Sequence, residues 1–102
     1  MRQFDLVENP SERSRAHAPY FITLQSHHLQ DLDSVVVAPL LRDAARSMSA
    51  LDIGVEVVGE SLVLALGELF GIERSLLKVP TASAAAHEDA IRRGLERLFT
   101  GF

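Results

Sequence analysis

The chain has 102 residues, which makes one domain by size, and 47% of them are hydrophobic, enough to fill a real core. Ten basic against fourteen acidic side chains give a net charge of −4, which disfavours direct gripping of nucleic-acid phosphates. The absence of cysteine excludes disulfides and thiolate metal sites and fits a reducing compartment. No apolar h-region follows Met1-Arg2-Gln3-Phe4-Asp5, so no signal peptide is expected. The longest apolar run, 35–41, is far short of the roughly 20 residues of a membrane helix. A cytoplasmic location is the default expectation.

The first half reads as strands. Phe4 and Leu6 alternate with Asp5, the period of a half-buried strand. Asn9-Pro10-Ser11 signals a turn. After Pro19, residues 20–25 are rich in β-branched and aromatic types, with Tyr20, Ile22 and Leu24 on one face and Phe21, Thr23 and Gln25 on the other. Val35-Val36-Val37 predicts a short strand buried on both faces. Leu40, Leu41, Ala44, Ala45 and Met48 fall at helical spacing after Pro39, and Leu62, Leu66, Leu69 and Phe70 do the same, so pattern alone leaves helix open for 39–51. Residues 53–58 and 61–66 flank Gly59-Glu60, whose leading glycine suits a type II′ hairpin turn. Residues 76–79, stopped by Pro80, form a last strand candidate.

The clearest element is a helix over 84–99, with Ser83 as its N-cap. Ile91, Leu95, Leu98 and Phe99 line one side of it. Glu88–Arg92 and Asp89–Arg93 are i,i+4 pairs in the favourable order, and Arg97 near the end suits the helix dipole. With no internal repeat and no linker, residues 1–102 are expected to form a single domain.

Few residues offer chemistry. His27-His28 would point to opposite faces of a strand and has no HExxH or Cys/His companions, so solvated histidines and no metal are expected. His87-Glu88 reads as an exposed first-turn carboxylate beside a solvated imidazole. Arg13-Ser14-Arg15-Ala16-His17 holds the residue types that grip a phosphodiester and move a proton, which keeps a nuclease reading open. Gly67-Glu68-Leu69-Phe70-Gly71 has neither a P-loop lysine nor Rossmann spacing, and there is no G-x-S-x-G elbow. No catalytic residue and no cofactor is therefore expected. Thr100-Gly101-Phe102 sets an aromatic beside the terminal carboxylate, either tucked into the core or offered to a partner as an anchor.

Taken in order, the residues resemble the CcdB family of bacterial toxins. The likeness runs from Gln3-Phe4 through Asn9-Pro10, Ser14-Arg15, Pro19-Tyr20 and Leu24-Gln25-Ser26. It continues in Val37-Ala38-Pro39-Leu40 and ends in Ala90-Ile91 and Leu98-Phe99-Thr100-Gly101-Phe102. The resemblance implies a mostly β fold, an SH3-like β-barrel with additional strands and one C-terminal helix, in a homodimer; residues 39–51 then become strand and loop. It implies a toxin that is not an enzyme: it binds the DNA gyrase A subunit and traps the cleaved-DNA complex. A CcdA-like antitoxin neutralises it, and the pair represses its own operon, touching operator DNA only through the antitoxin. The gyrase-binding residues it implies are Phe4, Ser26, Leu29, Glu88, Gly101 and Phe102. Thr100 stands where a familiar member of the family has tryptophan. Two alternatives accompany this reading: a MazF-like ribonuclease working through Arg13, Arg15 or His17, and a non-toxic antitoxin-binding co-repressor.

Overall fold

The computed structural model describes residues 1–29, 31–42, 49–57 and 59–101. In chain order it has β1 (Asp5–Glu8), β2 (Tyr20–Thr23), β3 (Ser34–Leu41), β4 (Asp52–Val57), β5 (Glu60–Ala65), β6 (Phe70–Glu73), β7 (Ala82–Ser83) and α1 (Glu88–Thr100). The strands form one antiparallel sheet in the order β4-β5-β3-β2-β1-β7, and β6 joins it on β3. The long β3 is the spine. Val37 pairs with both Thr23 and Phe70, and Leu40 with both Tyr20 and Leu64, so β2 holds one edge while β5 and β6 share the other. This is the mostly β, half-barrel architecture with one C-terminal helix that the resemblance implies.

Period-2 alternation sorts the apolar residues onto the two faces of the sheet. Leu6, Ile22, Leu24, Ala38, Leu40, Leu64 and Ile91 fill the main core, against which Tyr20 packs. Val7, Phe21, Val35 and Val37 make a smaller cluster on the other face. The β-branched run at 35–37 is thus sheltered on that second face, while Val36 is only half-buried.

Several local expectations are corrected. The hairpin pairs Val57 with Glu60, so Gly59 is the second loop residue rather than the first, at φ +74°. Glu60 belongs to the strand, where its carboxylate accepts from Arg42 Nε at 2.7 Å. That bond raises the Arg42 pKa above its ordinary value. Pro39 to Leu41 continue β3, so the helical spacing there does not set the structure; residues 43–48 lie outside the described residues. Leu62 belongs to β5, Leu66 opens a single 3₁₀ turn and Phe70 starts β6.

Residues 76–79 form no strand. A 3₁₀ turn covers Arg74–Leu76, fixed by Arg74 Nε donating to the Leu32 carbonyl at 3.0 Å. The helix starts at Glu88, four residues later than propensity alone places it. Ala82 and Ser83 pair with Leu6 and Asp5 in β7, and the Ala84 N–H bonds the Phe4 carbonyl, which commits that backbone to the sheet. The Ser83 hydroxyl accepts from the Ala85 N–H at 3.1 Å, so it closes the 3₁₀ turn Ala85–His87 and does not cap α1.

α1 sits against the sheet through Ile91, which is fully buried, and through a notch at Gly94. A Cβ at position 94 would overlap Leu66 Cδ1, so the missing side chain sets how closely the helix approaches. Gly101, at φ +80°, ends the helix in the left-handed conformation, its N–H donating to the Arg97 carbonyl at 3.1 Å.

Candidate protein-binding face

One end of the face starts from a strained residue. Phe4 has φ +66°, a conformation that costs a bulky side chain of order 1 kcal/mol or more, and its ring is 2% exposed. The strain is held by bonds on both sides: the Phe4 N–H donates to the Thr23 carbonyl at 2.6 Å, and its carbonyl accepts from Ala84 at 2.7 Å. Gln3 beside it is fixed by Nε2 donating to the Leu24 carbonyl at 3.0 Å. Above the Phe4 ring lies the Arg92 guanidinium, its carbon 5.4 Å from the ring centroid. Arg92 Nη2 donates to Gln3 Oε1 at 3.3 Å, and Nε lies 3.5 Å from Glu88 Oε2.

Glu88, Arg92, Leu95 and Phe99 are spaced i, i+4, i+7 and i+11, so they form one stripe along α1. The far half of the stripe borders a groove of about 310 Å³ lined by Leu24, Gln25, Ser26, Leu29, Val36, Leu69, Leu95 and Phe99. Phe99 is 71% exposed and Leu29 48%. A 3₁₀ turn over His27–Leu29 presents Leu29: the Ser26 carbonyl accepts from the Leu29 N–H at 3.0 Å and Ser26 Oγ from the His28 N–H at 3.2 Å. Gln25 ties this turn to β3, its Oε1 accepting from the Val36 N–H at 3.3 Å. Gly71 faces Val36 in register, and nothing stands within 4 Å of where its Cβ would be.

The six residues implied by the resemblance are placed unevenly. Ser26 and Leu29 line the groove, and Glu88 sits at the other end of the helix stripe. Phe4 lies beneath the face and supports Arg92 instead of meeting solvent. Gly101 is the helix cap; Phe102 lies outside the described residues. Sequence reasoning named Arg92, Val36 and Leu69 only as residues of local structure and not as parts of a site, and it grouped Phe99 with the apolar side of the helix. Of that set only Ile91 is buried. Ile91 turns inward and Leu95 packs partly against the core, while Phe99, two turns on from Arg92, is left in solvent.

The arginine loop is built differently. Asn9 is buried: its Nδ2 donates to Ser14 Oγ at 2.9 Å and to the Ala18 carbonyl at 2.8 Å, and its Oδ1 accepts from the Ser11 N–H at 2.9 Å. Arg15 Nε donates to the Asn9 carbonyl at 2.9 Å, and Nη2 lies 3.5 Å from Glu8. Arg13 and His17 are exposed. The histidine pair is not on a strand: His27 and His28 fall in the 3₁₀ turn. Among the described residues no group of three His, Cys, Asp or Glu could hold a metal ion. No helix there is long and apolar enough to cross a membrane.

A curved antiparallel sheet carrying one helix, with a charged and apolar stripe left open along that helix, defines a small half-barrel protein with an open face and a groove beside its helix. The family model described as CcdB protein matches residues 3–101, nearly the whole chain. The chain belongs to the CcdB family, and so is a toxin of a toxin–antitoxin system. No curated protein matches the sequence.

Proposed function

We propose that residues 1–102 act as one domain that binds the DNA gyrase A subunit through the α1 stripe and the adjoining groove, and that holds gyrase in its cleaved-DNA state. The observation that carries this reading is Phe99 standing 71% exposed beside Leu29 over an apolar groove. An aromatic anchor of this kind is a typical interface hot spot. The mechanism needs no catalysis by the toxin, since a ligand shifts an enzyme toward whichever state it binds best. About 5.5 kcal/mol of differential affinity takes a state from 1% to 99% populated. A homodimer presents two such faces about a two-fold axis and matches a two-fold enzyme. A CcdA-like antitoxin that covers this face releases the target, and the pair represses its operon through antitoxin–DNA contacts. The action takes place in the cytoplasm and needs no cofactor.

The test is a DNA cleavage assay with purified gyrase, ATP and the full chain, run beside the chain lacking Gly101-Phe102. Trapped cleaved DNA with the first and none with the second supports the reading. Absence of trapping with both refutes it and turns attention to RNA cleavage and to co-repression.

A further inference from the structure

Arg92 has three neighbours around its guanidinium. Its central carbon lies 5.4 Å from the Phe4 ring centroid, Nη2 donates to Gln3 Oε1 at 3.3 Å, and Nε lies 3.5 Å from Glu88 Oε2. Two of these supports are themselves fixed: Phe4 by backbone bonds to Thr23 and Ala84, and Gln3 by the Leu24 carbonyl. The guanidinium carries five N–H donors in a rigid plane. The bond to Gln3 and the pairing with Glu88 engage Nη2 and Nε, leaving the Nη1 donors clear of these contacts. The side chain is still 52% exposed. A cation arranged in this way has given up rotamer freedom before any partner arrives, so little more is lost when it binds.

We propose that Arg92 is the specificity-determining cation of the binding face, receiving a carboxylate of an acidic side chain on the bound protein target. This rests on the proposed target-binding reading. The Nη1 donors can be directed at a carboxylate oxygen, and a hydrogen bond between ionised partners is shorter and stronger than a neutral one. Glu88 beside it adds a second requirement. The partner surface carries a basic group opposite Glu88 next to the acid opposite Arg92, and like-charge juxtaposition rejects surfaces with the reverse order. Leu95 and Phe99, further along the stripe, supply apolar contact, while Arg92 selects which apolar surface docks and in which register.

The experiment uses the full chain and the purified gyrase A subunit. Affinity is measured at about 50 mM and about 200 mM salt, where screening differs strongly, for wild type, Arg92→Gln, Arg92→Lys and Phe99→Ala. Arg92→Gln keeps a polar, helix-compatible side chain at the position and removes the charge. It is expected to weaken binding about tenfold or more at low salt, the scale of a charge-assisted hydrogen bond, and to flatten the salt dependence. The thermal midpoint is expected to stay within about 2 °C, as for an exposed site. Arg92→Lys restores the salt dependence but less than half of the lost affinity. Wild-type affinity in Arg92→Gln alongside a loss in Phe99→Ala overturns the assignment of Arg92 and leaves the gyrase reading standing. Wild-type affinity in Arg92→Lys overturns the argument that the seated guanidinium, and not positive charge alone, receives the carboxylate. Absence of binding by the wild type overturns both readings together.

Discussion

Two arginine-bearing regions of this molecule look alike in sequence and differ in what folding has left them. In the loop after β1, Arg15 bonds the Asn9 carbonyl and approaches Glu8, and buried Asn9 satisfies three further groups. Along α1, Arg92 is equally well seated, yet half of it faces solvent beside an uncovered Phe99. The loop's polar groups are consumed in holding a turn together. Those of the helix are oriented and still available. An arginine cluster becomes a candidate site only through the donors that remain after the fold has taken its share.

That contrast can be broken from either side. The largest effect is expected for Phe99→Ala, with gyrase trapping down about 100-fold and the thermal midpoint nearly unchanged, because a solvent-facing anchor contributes to binding and little to folding. Titration of the cleavage assay beside a melting curve reads both. On the inward side of the same helix, Gly94→Leu forces a side chain into Leu66 and lowers stability by about 2 kcal/mol, read from urea denaturation. In the loop, Asn9→Ala leaves Ser11, Ser14 and Ala18 without their partner and costs about 1.5 kcal/mol, with trapping by the folded fraction preserved. Arg15→Ala costs about 1 kcal/mol by the same route. The smallest effects belong to Arg13→Ala and His17→Ala, within about 0.5 kcal/mol of wild type and with trapping intact. Loss of toxicity in either of those two moves function to the loop and inverts the comparison.

The strand half of the fold was legible because period-2 burial is written directly in the chain. The alternation of Ile22 and Leu24 against Phe21 and Thr23 needs no tertiary information. Where reading failed, a partner distant in sequence decided. Ala82 and Ser83 have the look of a helix start, but β1 captures them through Leu6 and Asp5. Leu77 and Val79 are apolar enough for a strand, but among the described residues they join no strand pairing, Arg74 having fixed the chain in a turn. The site was partly legible for the same reason. Ser26, Leu29 and Glu88 came from an ordered family likeness, whereas Arg92 over Phe4 joins residues 88 positions apart. Val36 and Leu69 come to one groove through the pairing of β6 with β3, which brings distant parts of the chain together.

Position 4 has a consequence for how the chain tolerates mutational drift. It combines two demands that few side chains meet together: a large flat ring beneath Arg92, and a backbone at φ +66°. Glycine relieves the backbone and forfeits the ring; asparagine accepts the backbone and buries an amide; leucine keeps bulk and loses the surface on which a guanidinium rests. In a saturation library scored for toxicity, this buried position is expected to be among the least replaceable of the chain. Exposed Leu76, which has ample room and no such double demand, is expected to accept most substitutions.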